Sequence, residues 1–436
     1  MAQLRPNMNA ICLVIDRLHA GYLGGYGNRW VQTPELDRLT AESFVFDHAT
    51  LDSPDLASLY RSWWHGHHAC ESVPTLDPSL SLPTRLKQAG IATTFMTDDP
   101  AALAALPADV AAQIDTMLLD VPRPTRPARD VRLAHLGQVF DAALTWLESA
   151  PSPFLLWLHI GSLGITWDAP VELREHYRDE EDPEFEYGVD VPQFVLPANY
   201  DPDQLQAILQ AYAAQITLLD EHVGHFIDCI RDSSLSADTL ISLVGGRGLP
   251  LGEHRRVGPY DEALCGELIH TPWLMRFPDR LGALCRSDAL VQPADLGATL
   301  ADWWKITPAT TEPRVAKSLL SIVRDEVTVI RDRAICRNSW GERGIRTARW
   351  YLRQTADQPA PGDEPSRASP NHADAQNQIH LFGKPDDRYE VNEVADRCPD
   401  IANELQRSLA EFEVACDQGT LDNLSPLAEV VTHRQA

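Results

Sequence analysis

Short apolar runs alternating with helical patterns constrain this chain more than any other feature. Ala10–Ile15, Ala92–Met96, Phe154–His159, Leu240–Val244 and Trp273–Arg276 are too short for buried helices and carry apolar residues at successive positions. Strands covered on both faces read this way. Between the third and fourth runs, Leu205–Ile230 places Ile216, Leu219, Val223, Phe226, Ile227 and Ile230 at steps of three and four, the spacing of an amphipathic helix. Leu296–Trp304 predicts a further helix. The fold class is therefore α/β, a mostly parallel sheet with helices on both faces. Beyond about Thr307 the pattern changes to shorter strands, at Val327–Ile330 and Ile345–Leu352, followed by a closing helix at Asp400–Ala415. This predicts an α/β domain over 1–306 and a smaller α+β unit with an antiparallel sheet over 307–436. Ala101–Arg132 and Thr355–Asn377 read as surface insertions, the second of them flexible.

Charge narrows the partners. With 63 acidic against 37 basic side chains the formal net charge is −26, so the average surface repels nucleic acid, anionic lipid and sulfated polysaccharide. No apolar stretch approaches the roughly 20 residues that span a bilayer. The eight cysteines form no Cys-x-x-Cys pair, and residues 1–8 do not read as a secretory signal; the expected location is cytoplasmic, with free buried thiols.

The order of the motifs identifies a family. Ile11-Cys12-Leu13-Val14-Ile15-Asp16 precedes Gly24-Gly25-Tyr26-Gly27 and then Thr33-Pro34-Glu35-Leu36-Asp37-Arg38-Leu39. Further on come Tyr212 to Gly224, Leu251-Gly252-Glu253-His254, Ile269-His270-Thr271-Pro272 and Gly344-Ile345-Arg346-Thr347-Ala348-Arg349-Trp350. Together these resemble the sulfatases, within the alkaline phosphatase superfamily, over nearly the whole chain. The resemblance implies hydrolysis of a sulfate or phosphate ester at a divalent cation, usually calcium, held at the C-terminal edge of the sheet. It also implies a Cys or Ser nucleophile within Cys/Ser-x-Pro-x-Arg, and Lys, Arg and His groups that neutralise and protonate the leaving oxygen.

Those residues are replaced here. Aligned from Phe46-Asp47-His48-Ala49 to Gly66, the nucleophile position holds Leu56, the proline position Ser58 and the arginine position Tyr60. The Asp-Asp pair at the end of the first strand becomes Asp16-Arg17, and the late Asp-His/Asn-Gly becomes Gly246-Arg247-Gly248. Of four metal ligands only Asp16 remains, so no cofactor is expected: a hard divalent ion needs several oxygens, and guanidiniums repel it. The lysine position aligns with Asp98 and the histidine position with Gly164, and no lysine occurs between Lys87 and Lys305. No catalytic residue is expected at the family positions. Ser81-Leu82-Pro83-Thr84-Arg85 spells the nucleophile motif elsewhere, but Pro83 and Gly90 bound a small helix that Ser81 simply precedes. Thr125-Arg126-Pro127-Ala128-Arg129 lies in the first insertion. His65, His67, His68 and Cys70 suggest a metal cluster, though a helix end and turn is the plainer reading; His159, His254 and His270 read as structural.

The expected protein is a catalytically inactive homologue with a binding or regulatory role, its partner a small anionic ligand or another protein. The alternatives are an ester hydrolase with rearranged residues such as Ser81, or Ser58 with Asp16, and a structural subunit. The pocket expected from this reading comprises Asp16, Arg17, Asp55, Tyr60, Asp98, Gly246 and Arg247. A carboxylate left behind by a lost cation must be paired. Arg17 and Arg247 are therefore expected beside Asp16, with Asp98 or Asp55 as further partners, and Arg247→Ala to cost about 1–4 kcal/mol.

Overall fold

A computed structural model describes residues 8–71, 77–182, 188–306, 315–355 and 378–432; most of the flexible insertion expected at 355–377 lies outside these. An eight-stranded sheet is built from β1 (Asn9–Ile15), β2 (Phe44–Ala49), β3 (Ala92–Thr97), β4 (Asp115–Leu118), β5 (Phe154–Ile160), β6 (Thr239–Gly245), β7 (Trp273–Arg276) and β8 (Arg286–Val291). Its order is β8-β2-β7-β6-β1-β5-β3-β4. The five strands from β6 to β4 run parallel, whereas β7 is antiparallel to both β6 and β2. Every residue of β1 is buried, as a central parallel strand requires. By residue contacts the chain forms two compact units, one of Met1–Asp47, Pro83–Tyr260 and Thr271–Ser287, the other of His48–Leu82, Asp261–His270 and Asp288–Ala436.

In the first unit, α1 (Pro34–Glu42) and a 30-residue helix, Pro202–Arg231, pack on the sheet. The long helix opens with Asp201, whose side chain accepts from the Asp203 N–H, and with Pro202 at its first position. Its inward face, including Ile216, Leu219, Val223 and Phe226, joins Ile11, Leu13 and Leu156 in one apolar core. In the second unit, Arg333–Arg337, Arg343–Thr347, Trp350–Gln354 and Ile379–Gly383 form a four-stranded antiparallel sheet. Ile335, Ile345, Leu352 and Leu381 from this sheet pack with Leu405, Leu409 and Phe412 of the closing helix, Pro399–Asp417.

Three expectations are corrected. Val327–Ile330 is not a strand; the strand begins at Arg333. The segment Ala101–Arg132 is not merely an insertion, because Asp115–Leu118 within it pairs with β3 as the sheet edge. Ile345–Leu352 resolves into a hairpin of two strands.

Candidate functional site

Parallel register brings the ends of β1, β5 and β6 to one edge. Ile15 sits opposite Ile160 and Gly245; the Asp16 N–H donates to the Ile160 carbonyl, and the Gly246 N–H to that of Ile15, both at 2.9 Å. Asp16, Gly161 and Gly246 thus leave the sheet side by side at its C-terminal edge, where open α/β sheets place their ligands.

Asp16 is only 2% exposed. Arg247 grips it with two parallel bonds, Nε to Oδ1 at 3.0 Å and Nη2 to Oδ2 at 2.6 Å. This fork matches the planar guanidinium to both carboxylate oxygens. Burial alone would push the Asp16 carboxyl up; Arg247, with Arg17 next to it, more than offsets this and holds it well below the usual carboxylate range. Gly246 permits the approach, since a Cβ there would stand 3.0 Å from Asp16 Oδ1 and 3.2 Å from its Cα.

Arg17 is placed less directly. Its Nε is 3.8 Å from Asp16 Oδ2, and its Nη1 donates to the Tyr260 carbonyl at 3.4 Å. Its backbone is left-handed, with φ 62°, a conformation that glycine adopts freely and that L-residues other than Asn and Asp avoid. The Tyr212 hydroxyl donates to the Arg17 carbonyl at 2.7 Å and accepts from the His19 N–H at 2.9 Å, which clamps this turn from the long helix. The Arg17 side chain lies over Gly164, so that a Cβ there would meet Arg17 Cγ at 2.9 Å. A histidine at 164 and this arginine cannot occupy their positions together without a shift.

Asp98 is not an arginine partner, contrary to expectation. Its carboxylate accepts from the Gly161 N–H at 2.7 Å, the Ser162 hydroxyl at 2.5 Å and His135 Nε2 at 3.0 Å. Burial opposes its charge, yet these three donors keep the carboxyl below its ordinary range. Both oxygens are thereby engaged away from Asp16. Sequence reasoning missed His135 and Ser162; the available signal was that a carboxylate following a buried strand needs donors, and Ser162 stands in the loop after the neighbouring strand. His19 and Glu253, also missed as a pair, join at 3.0 Å; His19 Nδ1 accepts from the Gly21 N–H, so Nε2 is the donor. Burial pushes the His159 imidazole down, against the opposing pull of Asp16.

The residues expected at the nucleophile motif, and Ser81, fall in the second unit. Leu56 is the first residue of a helix running to His65, and Asp55 caps it by accepting from the Ser58 N–H at 2.8 Å. Asp55 thus serves a helix end. Tyr60 is fully buried, its ring packed edge-on to Trp63 at 5.4 Å. The Ser81 hydroxyl is also buried and donates to the Pro78 carbonyl at 3.0 Å. Gly66, with φ 70°, ends the Leu56 helix in the left-handed turn that glycine favours. His68 uses both ring nitrogens, Nδ1 accepting from the Cys70 N–H and Nε2 donating to the Ile335 carbonyl, each at 3.1 Å. His67 turns to Glu71 instead. His67 and His68 of the expected cluster are therefore engaged in bonds within this unit. A cavity of about 280 Å³ along the start of the long helix, lined by Trp167, Arg178, Gln204 and Gln210 among others, includes none of the expected pocket residues.

Calcium does not fit the donor set around Asp16. The one carboxylate is doubly bonded to a guanidinium, the ligand positions hold glycine and arginine, and Asp98 is committed to three donors.

Comparison with known proteins agrees with the sequence motifs. The sulfatase family model matches residues 8–306. Human iduronate 2-sulfatase is 24% identical over 347 residues, covering 64% of this chain and 61% of that protein, and the mouse protein of the same name is 23% identical over 329 residues. The chain thus spans about three-fifths of the length of the curated relatives it matches. Among solved structures, the phosphonate monoester hydrolase of Agrobacterium radiobacter aligns with a TM-score of 0.73 at 14% identity, covering 94% of this chain and 96% of that one. That of Silicibacter pomeroyi gives 0.69 at 17%, covering 97% and 98%. At such identities these neighbours share the fold.

Proposed function

This chain belongs to the sulfatase family, and we propose that it is a member without ester hydrolysis, a pseudoenzyme that keeps a binding or regulatory role. The reading is carried by Leu56, which the family motif aligns with the nucleophile and which stands in the first turn of a capped helix. An aliphatic side chain offers no lone pair to attack sulfur or phosphorus. Support comes also from Tyr60 at the arginine position and Asp98 at the lysine position, each built into the surrounding fold by its own packing or bonds. Its partner on this reading is a small anionic ligand or another protein; the net charge of −26 argues against nucleic acid and anionic membranes. Among the described residues no helix is long and apolar enough to cross a membrane. A cytoplasmic, reducing location accords with eight cysteines that are all free thiols, five of them buried.

The test is turnover of aryl sulfates and aryl phosphates by the purified protein, with and without added calcium. Rates equal to a blank, and unchanged in Ser81→Ala and Ser58→Ala, are expected. Turnover abolished by either substitution would replace this reading with a hydrolase that has moved its nucleophile.

A further inference from the structure

We infer that the old cation site has become an interlocked, metal-independent unit, in which Arg247 is a tethered cation for Asp16 and Arg17 is the packing element that fills the space over Gly164. The idea deepens the non-hydrolytic reading and rests on the family assignment, but it concerns metal exclusion and packing rather than turnover.

The first half is electrostatic. A buried carboxylate needs compensating charge, and here one guanidinium meets both oxygens at 3.0 and 2.6 Å. An incoming divalent ion would have to displace that fork and then sit beside two arginines. Asp98, at the same sheet edge, does not help, because it spends its oxygens on Gly161, Ser162 and His135.

The second half is steric. Arg17 follows Asp16 directly in a left-handed conformation, and its Cγ stands 2.9 Å from where a Cβ at 164 would be. The atom in conflict is near the root of a buried side chain, so it cannot swing aside as a lysine tip would. Loss of a side chain at 164 and gain of arginine at 17 are thus one coupled exchange. A side chain restored at 164 alone meets Arg17, an aspartate restored at 17 alone leaves the space over Gly164 unfilled, and removing one arginine alone leaves the second next to Asp16.

Calcium, magnesium and manganese titrations followed by melting temperature and calorimetry test the first half. The wild-type protein should show no shift at millimolar ion, whereas Arg17→Asp/Arg247→Asn, which returns a second carboxylate and a neutral oxygen donor, should bind calcium and gain melting temperature. Aspartate also tolerates the left-handed conformation at 17. A saturable calcium shift in the wild type would overturn the inference, and so would a folded double variant indifferent to calcium. Gly164→Ala tests the second half and still applies if the double variant does not fold. It should lower the melting temperature by about 2–4 °C alone and by much less in an Arg17→Ala background; equal drops in both backgrounds would overturn the packing half. Calcium binding by wild type without hydrolysis would sink this inference and spare the non-hydrolytic reading. Hydrolysis without added metal would do the reverse.

Discussion

Asp16 at the sheet edge and Asp220 on the long helix are buried to nearly the same depth, 2% and 1% exposed, and meet opposite fates. Asp16 faces a guanidinium fork and stays ionised far into acid. Asp220 caps the start of α1 from outside, accepting from the Glu35 N–H at 3.1 Å and the Leu36 N–H at 2.7 Å. Burial pushes its carboxyl up to about 7; the two N–H donors oppose that rise, and the carboxylates of Glu35 and Asp37 reinforce it. The contrast teaches that depth alone does not set the charge of a buried acid. A full positive charge at bonding distance overcomes desolvation, while two partial charges with acids alongside do not.

The sharpest way to break the comparison is to remove the fork. Arg247→Ala should destabilise the protein by about 3–4 kcal/mol, the upper part of the range expected from sequence, because the two-bond fork is buried and its loss leaves an uncompensated carboxylate. Removing both partners in Asp16→Asn/Arg247→Leu should cost clearly less, since no buried charge is then stranded. Chemical denaturation of the two variants checks this; equal losses would mean that Arg247 acts by packing alone.

Acid gives a smaller test of the same pair. Asp16 is a carboxyl depressed on folding, so its contribution is complete above the ordinary 3.8 and fades as pH falls towards the depressed folded value. Wild type should therefore hold its melting temperature down to about pH 4 on account of this group and lose it only below. In Asp16→Asn that additional acid loss should be missing, which a melting series from pH 2 to pH 6 would reveal.

How much of this was legible in the sequence depends on burial. The strand ending at Ile15 and the long helix declared themselves because their apolar residues are inside. The Asp16–Arg247 contact followed from the family resemblance, which put Arg247 at a ligand position, together with charge balance. Val327–Ile330 misled for the converse reason: its β-branched run resembles a strand, yet Val327 and Val329 are 41% and 61% exposed and pair with nothing in a sheet. Asp115–Leu118 was missed because an edge strand with every residue exposed carries no apolar alternation. The partners of Asp98 were missed because His135 arrives from a helix 37 residues on, a distance no local pattern spans.

The smallest expected effect lies at Asp220 and separates the two acids most cleanly. Its folded value of about 7 lies above the ordinary 3.8. For a carboxyl raised on folding, the contribution to stability is complete below the unfolded value and is lost as pH rises through the folded one. Wild type should thus lose stability between about pH 4 and pH 7 from this residue, the opposite direction to Asp16. Asp220→Asn stays neutral throughout and keeps one acceptor oxygen, for the Leu36 N–H, while its amide nitrogen replaces the oxygen that meets the Glu35 N–H; whatever constant cost this carries, its melting temperature should decline less from pH 5 to pH 8. Calorimetric melts of both proteins across that range decide the matter. Parallel profiles would show that Asp220 is ionised throughout, and the two donors of a helix start would then suffice where the guanidinium fork was thought necessary.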